Sequence, residues 1–138
     1  MRKAFALFLC LAALTCAPLA HAQAITEAMA AAWQEAIDQA IEAHDSAAVG
    51  RLLADEVQIV GEAVADGVRQ SFHLDKRTYI AALDQQWQTA STYTYRGEGR
   101  VIRLEGEQAV ITGTVIESRT VGDLGTATTR TASTSTLI

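Results

Sequence analysis

The stretch EAHDSAAVGRLLADEVQIV, Glu42 to Val60, decides the fold, because it passes from helical to strand-like text without a proline. Just upstream, between Ile25 and Ala43, Met29, Trp33, Ile37 and Ile41 recur every four residues with Ala36 and Ala40 beside them, while Glu35, Asp38, Gln39 and Glu42 fall elsewhere. That spacing gives a helix one apolar stripe. Asp45 and Ser46 then offer side-chain oxygens that can cap a second, short helix over Ala47 to Ala54, carrying Val49, Leu52 and Leu53. A break at His44-Asp45 lets the two helices meet at a corner, and LLADEVQIV drops the chain straight into a sheet.

Downstream the text alternates. Strands are expected over Glu56 to Val64 and Val68 to His73, joined at Asp66-Gly67, a pair suited to a two-residue hairpin turn. Asp75 is placed to cap a third helix, Lys76 to Gln88, with Tyr79, Ile80, Leu83 and Trp87 at helical spacing. Three long, threonine-rich strands complete the reading: Ser91 to Leu104, Gln108 to Thr120 and Thr126 to Ile138, the last two separated by a loop over Val121 to Gly125. The element order predicts an α+β domain, with helices covering one face of a curved antiparallel sheet.

The chain opens MRKAFALFLCLAALTCAPLAHAQ: Arg2 and Lys3, an apolar run from Ala4 to Leu14, then Ala20-His21-Ala22. This is the three-part pattern of a secretory signal peptide, with cleavage expected after Ala22 and the protein delivered to the periplasm or beyond the cell. The apolar run is shorter than the roughly 20 residues of a membrane span. A lipoprotein reading would use Cys16, but Ala13-Leu14-Thr15 suits it poorly. Cleavage removes both cysteines and the only proline, and because Arg2 and Lys3 leave too, the net charge moves from −5 to −7. The remaining domain, 23–138, then has no disulfide, thiolate ligand or cysteine nucleophile. Its acidity repels phosphate backbones and anionic headgroups, which sets aside nucleic acid and membrane surfaces as partners.

Three segments together resemble the nuclear transport factor 2-like and SnoaL-like superfamily of cone-shaped domains. They are AIEAHDSAAVGRLLADEVQIV, the Asp-Gly hairpin followed by KRTYIAALDQQW, and LEGEQAVITGTVIES. The resemblance implies a pocket between the first helix, the third helix and the concave sheet, lined by Trp33, Ile37, Tyr79, Trp87, Tyr93 and Tyr95. It implies a small apolar ligand and a homodimer as partners. Such domains usually finish with one more long strand, so TSTLI reads either as the end of a truncated sequence or as a sheet lacking its final strand, with an edge open to a partner chain.

Chemistry is thinly marked. Aligning QAIEAHD and LLADEVQIVG with the steroid isomerases of that superfamily puts Ile37 near the tyrosine position and Gly61 at the base position, with Glu62 one residue late and so on the other strand face. The last strand offers no carboxylate, so no catalytic set is assigned. A cofactor-free lyase, isomerase or cyclase would have to use Glu62, His73, Asp38 or a tyrosine, and Glu62 and His73 join the expected pocket on that ground. Asp38 and Glu42, four apart on the first helix, read as solvated acids. His44 reads as a helix-end or surface residue. Two distant histidines make no metal motif, and no cofactor is called for. In RGEGR, Arg96, Glu98 and Arg100 alternate and are expected to form an exposed charge ladder on one strand face.

Overall fold

A computed structural model describes residues 24–138, so the proposed signal peptide and both cysteines lie outside the described residues. In chain order the elements are α1 (Glu27–Glu42), α2 (Ser46–Leu52), β1 (Gln58–Ala65), β2 (Val68–Asp75), α3 (Lys76–Thr89), β3 (Thr92–Glu105), β4 (Gln108–Thr120), a 3-10 turn (Gly122–Leu124) and β5 (Thr126–Leu137). Every predicted element is present, with bounds shifted by a residue or two.

The corner after α1 has a definite cause. His44 adopts φ 55°, in the left-handed region. Its N–H donates to the Ile41 carbonyl (3.0 Å) and the Asp45 N–H donates to the Ala40 carbonyl (2.9 Å), the paired bonds that close a helix in a Schellman motif. Glycine is the usual occupant; here the imidazole is held by stacking on Trp87 at 5.0 Å. The Asp45 carboxylate then accepts from the Ala48 N–H at 2.8 Å and starts α2. One residue thus ends a helix and the next begins another. Asp45→Ala is expected to cost about 1 kcal/mol, the usual value of such a cap, read as a lower urea midpoint with an unchanged slope. Asp75 caps α3 in the same way through the Thr78 N–H at 2.7 Å.

β1 and β2 form a hairpin whose turn residues, Asp66 (φ 51°) and Gly67 (φ 75°), are both left-handed, as the type I′ geometry of a two-residue loop requires. The five strands are antiparallel in the order β2-β1-β5-β4-β3. The strands at the ends of that order are β2 and β3. β5 pairs with β4 from Thr126 to Leu137 but with β1 only through Ala63↔Thr131 and Val64↔Arg130, so among the described residues β5 beyond Thr131 has no strand paired on that side.

The helices pack on one face. Ile37 and Ile41 of α1 meet Val49, Leu53 and Leu83 in one buried cluster; Ala30 meets Ala109, Ile111 and Leu137 in a second. Trp33 packs against both, and its indole N–H donates to the Leu52 carbonyl at 2.9 Å, tying α1 to the end of α2. Among the described residues no helix is long and apolar enough to cross a membrane.

Candidate functional site

The helices do not fill the hollow of the sheet. A cavity of about 960 Å³ lies between α1, α3 and the strands, at the upper end of the range for small-molecule sites. Trp33, Ile37, Phe72, Leu74 and Leu83 supply apolar wall, and the polar side chains reaching it include Gln34, Tyr79, Tyr95, Arg100 and Glu117.

Arg100 owes its place to an irregularity in β3. Before Glu98 the odd-numbered residues Tyr93, Tyr95 and Gly97 face inward; after it the even-numbered Arg100 and Ile102 do. The register against β4 slips between Glu98 and Val101, with Gly99 at φ 60°. A glycine in the left-handed region opening a bulge is the G1 arrangement, which inserts one residue and turns the following side chains over. Two further glycines clear the space. A Cβ on Gly97 would overlap the Arg100 guanidinium, and one on Gly113 would lie 3.0 Å from Arg100 Cγ. The expected ladder therefore needs correction. Arg96–Glu98 (2.7 Å) and Glu98–Arg130 (3.3 Å) form it on the outer face, and Arg100 is inside the cone.

There Arg100 Nη2 donates to Asp38 Oδ1 at 2.9 Å and to the Tyr95 hydroxyl at 3.3 Å. Tyr95 donates its own proton to Asp38 Oδ1 (2.9 Å), as does Gln34 Nε2 (3.0 Å). Asp38, read from sequence as a solvated acid, is three-quarters buried and collects three donors. The one-stripe reading of α1 misplaced it, because its partners arrive from β3, 57 and 62 residues later.

A second carboxylate, Glu117 on β4, also lines the cavity and accepts a short hydrogen bond from the Tyr93 hydroxyl. It stands opposite Tyr95 in the register. Sequence reasoning missed it, although two-residue alternation from Val115 puts Glu117 on the inward face.

Burial raises all three tyrosines. Tyr79 is pushed up to about 12 by burial and then by the Glu117 charge. Tyr93 and Tyr95 go higher still, from burial first and then from Glu117 and Asp38 respectively. Because the folded values exceed the unfolded ones, the unfolded chain loses these protons first. The stabilisation is complete below about pH 10 and is lost as pH rises through the folded values. An alkaline titration followed by phenolate absorbance and circular dichroism is expected to show tyrosine ionisation coincident with unfolding. Three tyrosines ionising near pH 10 in a folded protein would contradict this burial.

Of the expected pocket residues, Trp33, Ile37, Tyr79 and Tyr95 line the cavity. Trp87 and Tyr93 stand behind it at one end of the core, Trp87 stacked on His44 and Tyr93 edge-on to both rings. Glu62 and His73 are corrections. Alternation turns Ile59, Gly61 and Ala63 inward with Phe72 and Leu74, so Glu62 and His73 face out, where Glu62 pairs with Arg69 (2.6 Å) and His73 bonds Gln58 (2.7 Å). Gly61, at the isomerase base position, is covered by the Phe72 ring, which a Cβ there would approach to 2.5 Å. Among the described residues no group of three or more His, Asp or Glu is arranged to hold a metal.

Helices seated in a curved antiparallel sheet, with the polar groups deep in the hollow, define a cone-shaped α+β domain. The fold is that of the nuclear transport factor 2-like family. It matches the crystal structure of a Streptomyces avermitilis protein of that family, whose name carries a provisional dehydratase assignment, with a TM-score of 0.52 and 11% identity over 78% of this chain and 80% of that one. No protein-family model and no curated protein matches the chain.

Proposed function

We propose that this is an exported protein that binds a small, largely apolar molecule inside the cone. The observation that carries the reading is the cavity of about 960 Å³, with apolar walls and a polar pole of Tyr95 and Arg100 fixed by Asp38. Apolar lining with a few convergent polar groups is the ordinary chemistry of small-molecule sites. The reading assigns no catalytic step: of the residues the lyase or isomerase alternative would use, Glu62 and His73 stand on the outer face, and Asp38 is engaged by Gln34, Tyr95 and Arg100.

The two tryptophans make the test simple, since Trp33 lines the cavity and Trp87 does not. In a Trp87→Phe variant, the neutral dye Nile red is expected to bind saturably with one-to-one stoichiometry, with energy transfer from Trp33. Binding without saturation, or without transfer, would speak against the reading.

Homodimerisation through the outer sheet face is a second reading, for which that face offers the exposed side chains of Val60 and Val101 on separate strands. Light scattering on the protein eluting from a sizing column tests it; a monomer at every accessible concentration would remove it.

A further inference from the structure

We propose that the cavity selects an uncharged ligand that donates a hydrogen bond to the Glu117 carboxylate: a phenol or an alicyclic alcohol. This rests on the small-molecule reading above and specifies the ligand's polar end.

Glu117 faces the cavity between Tyr95 on β3 and Thr129 on β5. Cross-strand neighbours on one face stand about 5 Å apart at Cβ, so a ligand reaching one reaches the other. Glu117 Oε1 takes the Tyr93 proton, and among the described residues nothing donates to Oε2. A carboxylate accepts at about four positions, so Glu117 retains acceptor capacity toward the cavity.

The donors are mostly committed. Tyr95 gives its proton to Asp38, leaving only lone pairs for a ligand. Arg100 is neutralised by the same carboxylate, and its unpaired Nη1 is shielded from the cavity by burial. Arg119, two residues beyond Glu117, lies on an exposed part of the wall where water screens its charge. Among the described residues nothing bonds the Tyr79 hydroxyl, which burial keeps protonated as a donor to a second oxygen of the ligand.

An anionic ligand would therefore meet two carboxylates and, among the described residues, no free interior cation. It would also pay for leaving water in an apolar space. A neutral hydroxyl meets a ready acceptor.

Para-nitrophenol is a suitable probe, because it ionises near neutral pH and its absorbance reports its own protonation. Displacement of Nile red establishes that it occupies the cavity. Its neutral form is expected to bind about tenfold more tightly than its anion, raising its apparent ionisation in the bound state by about one pH unit. Glu117→Gln keeps an oxygen for Tyr93 and removes the acceptor charge, so the upward shift should shrink to the part that desolvation alone supplies, while Nile red binding persists. Displacement with an unchanged or lowered ionisation, or an upward shift as large in Glu117→Gln as in the wild type, would overturn this inference and leave the small-molecule reading standing. Failure of Nile red itself to bind would overturn the reading, and the inference with it.

Discussion

Asp38→Ala is expected to be the most damaging single change in the cavity, lowering stability by about 2 to 3 kcal/mol. Removing one member of a fully buried ion pair costs about 3 to 5 kcal/mol, because the other charge is left unpaired. The Asp38 and Arg100 side chains keep 26% and 20% of their surface exposed, and water entering the cavity recovers part of that cost. The loss extends beyond the pair. Tyr95 and Gln34 lose their acceptor as well, so the phenol and the guanidinium are both freed from their positions. Urea denaturation should show the lowered midpoint, and Nile red affinity should fall with it. A change within about 0.5 kcal/mol, the usual range for a surface substitution, would place Asp38 outside the core of the cone.

The second large effect separates binding from folding. Gly97→Ala puts a methyl group where the Arg100 guanidinium lies. The obstructed atoms are the far end of a flexible side chain, so the fold can accept the change by swinging that side chain away. The stability cost is expected to stay near 1 kcal/mol, a modest overpacking penalty. Ligand affinity should fall about tenfold, because the cavity loses its fixed polar pole and gains bulk. Gly113→Ala serves as a comparison: its Cβ meets Arg100 Cγ at 3.0 Å and the Glu98 carbonyl oxygen at 3.1 Å, and the carbonyl belongs to backbone that cannot swing aside. That variant should lose more stability. Equal effects from the two would argue against the position assigned to the guanidinium.

The fold was readable because its signals are local. The four-residue recurrence of Trp33, Ile37 and Ile41, the capping aspartates Asp45 and Asp75, and the Asp66-Gly67 turn each act within a few residues of themselves. The site was less readable because it is assembled across the sheet. Asp38 looks like a surface acid until β3 brings Tyr95 and Arg100 to it. Arg100 looks like the end of a charge ladder until the bulge at Gly99 reverses the alternation. That reversal had a visible sign, since glycine within a strand pattern marks a bulge or a close backbone approach. RGEGR carries two such glycines, one serving each purpose. Glu62 failed for the matching reason: one residue of register separates an acid inside the cone from one on its outer wall.

The central claim is that the bulge turns Arg100 into the cone to meet Asp38, and a double-mutant cycle tests it most directly. Stabilities of the wild type, Asp38→Ala, Arg100→Met and the double variant give the coupling between the two side chains, with methionine retaining most of the arginine stem. A coupling of about 1 kcal/mol or more is expected for groups in contact within one hydrogen-bonded network. Additive effects, with coupling near zero, would mean that Arg100 lies on the outer face with Arg96 and Glu98 and that the cavity has no such polar pole.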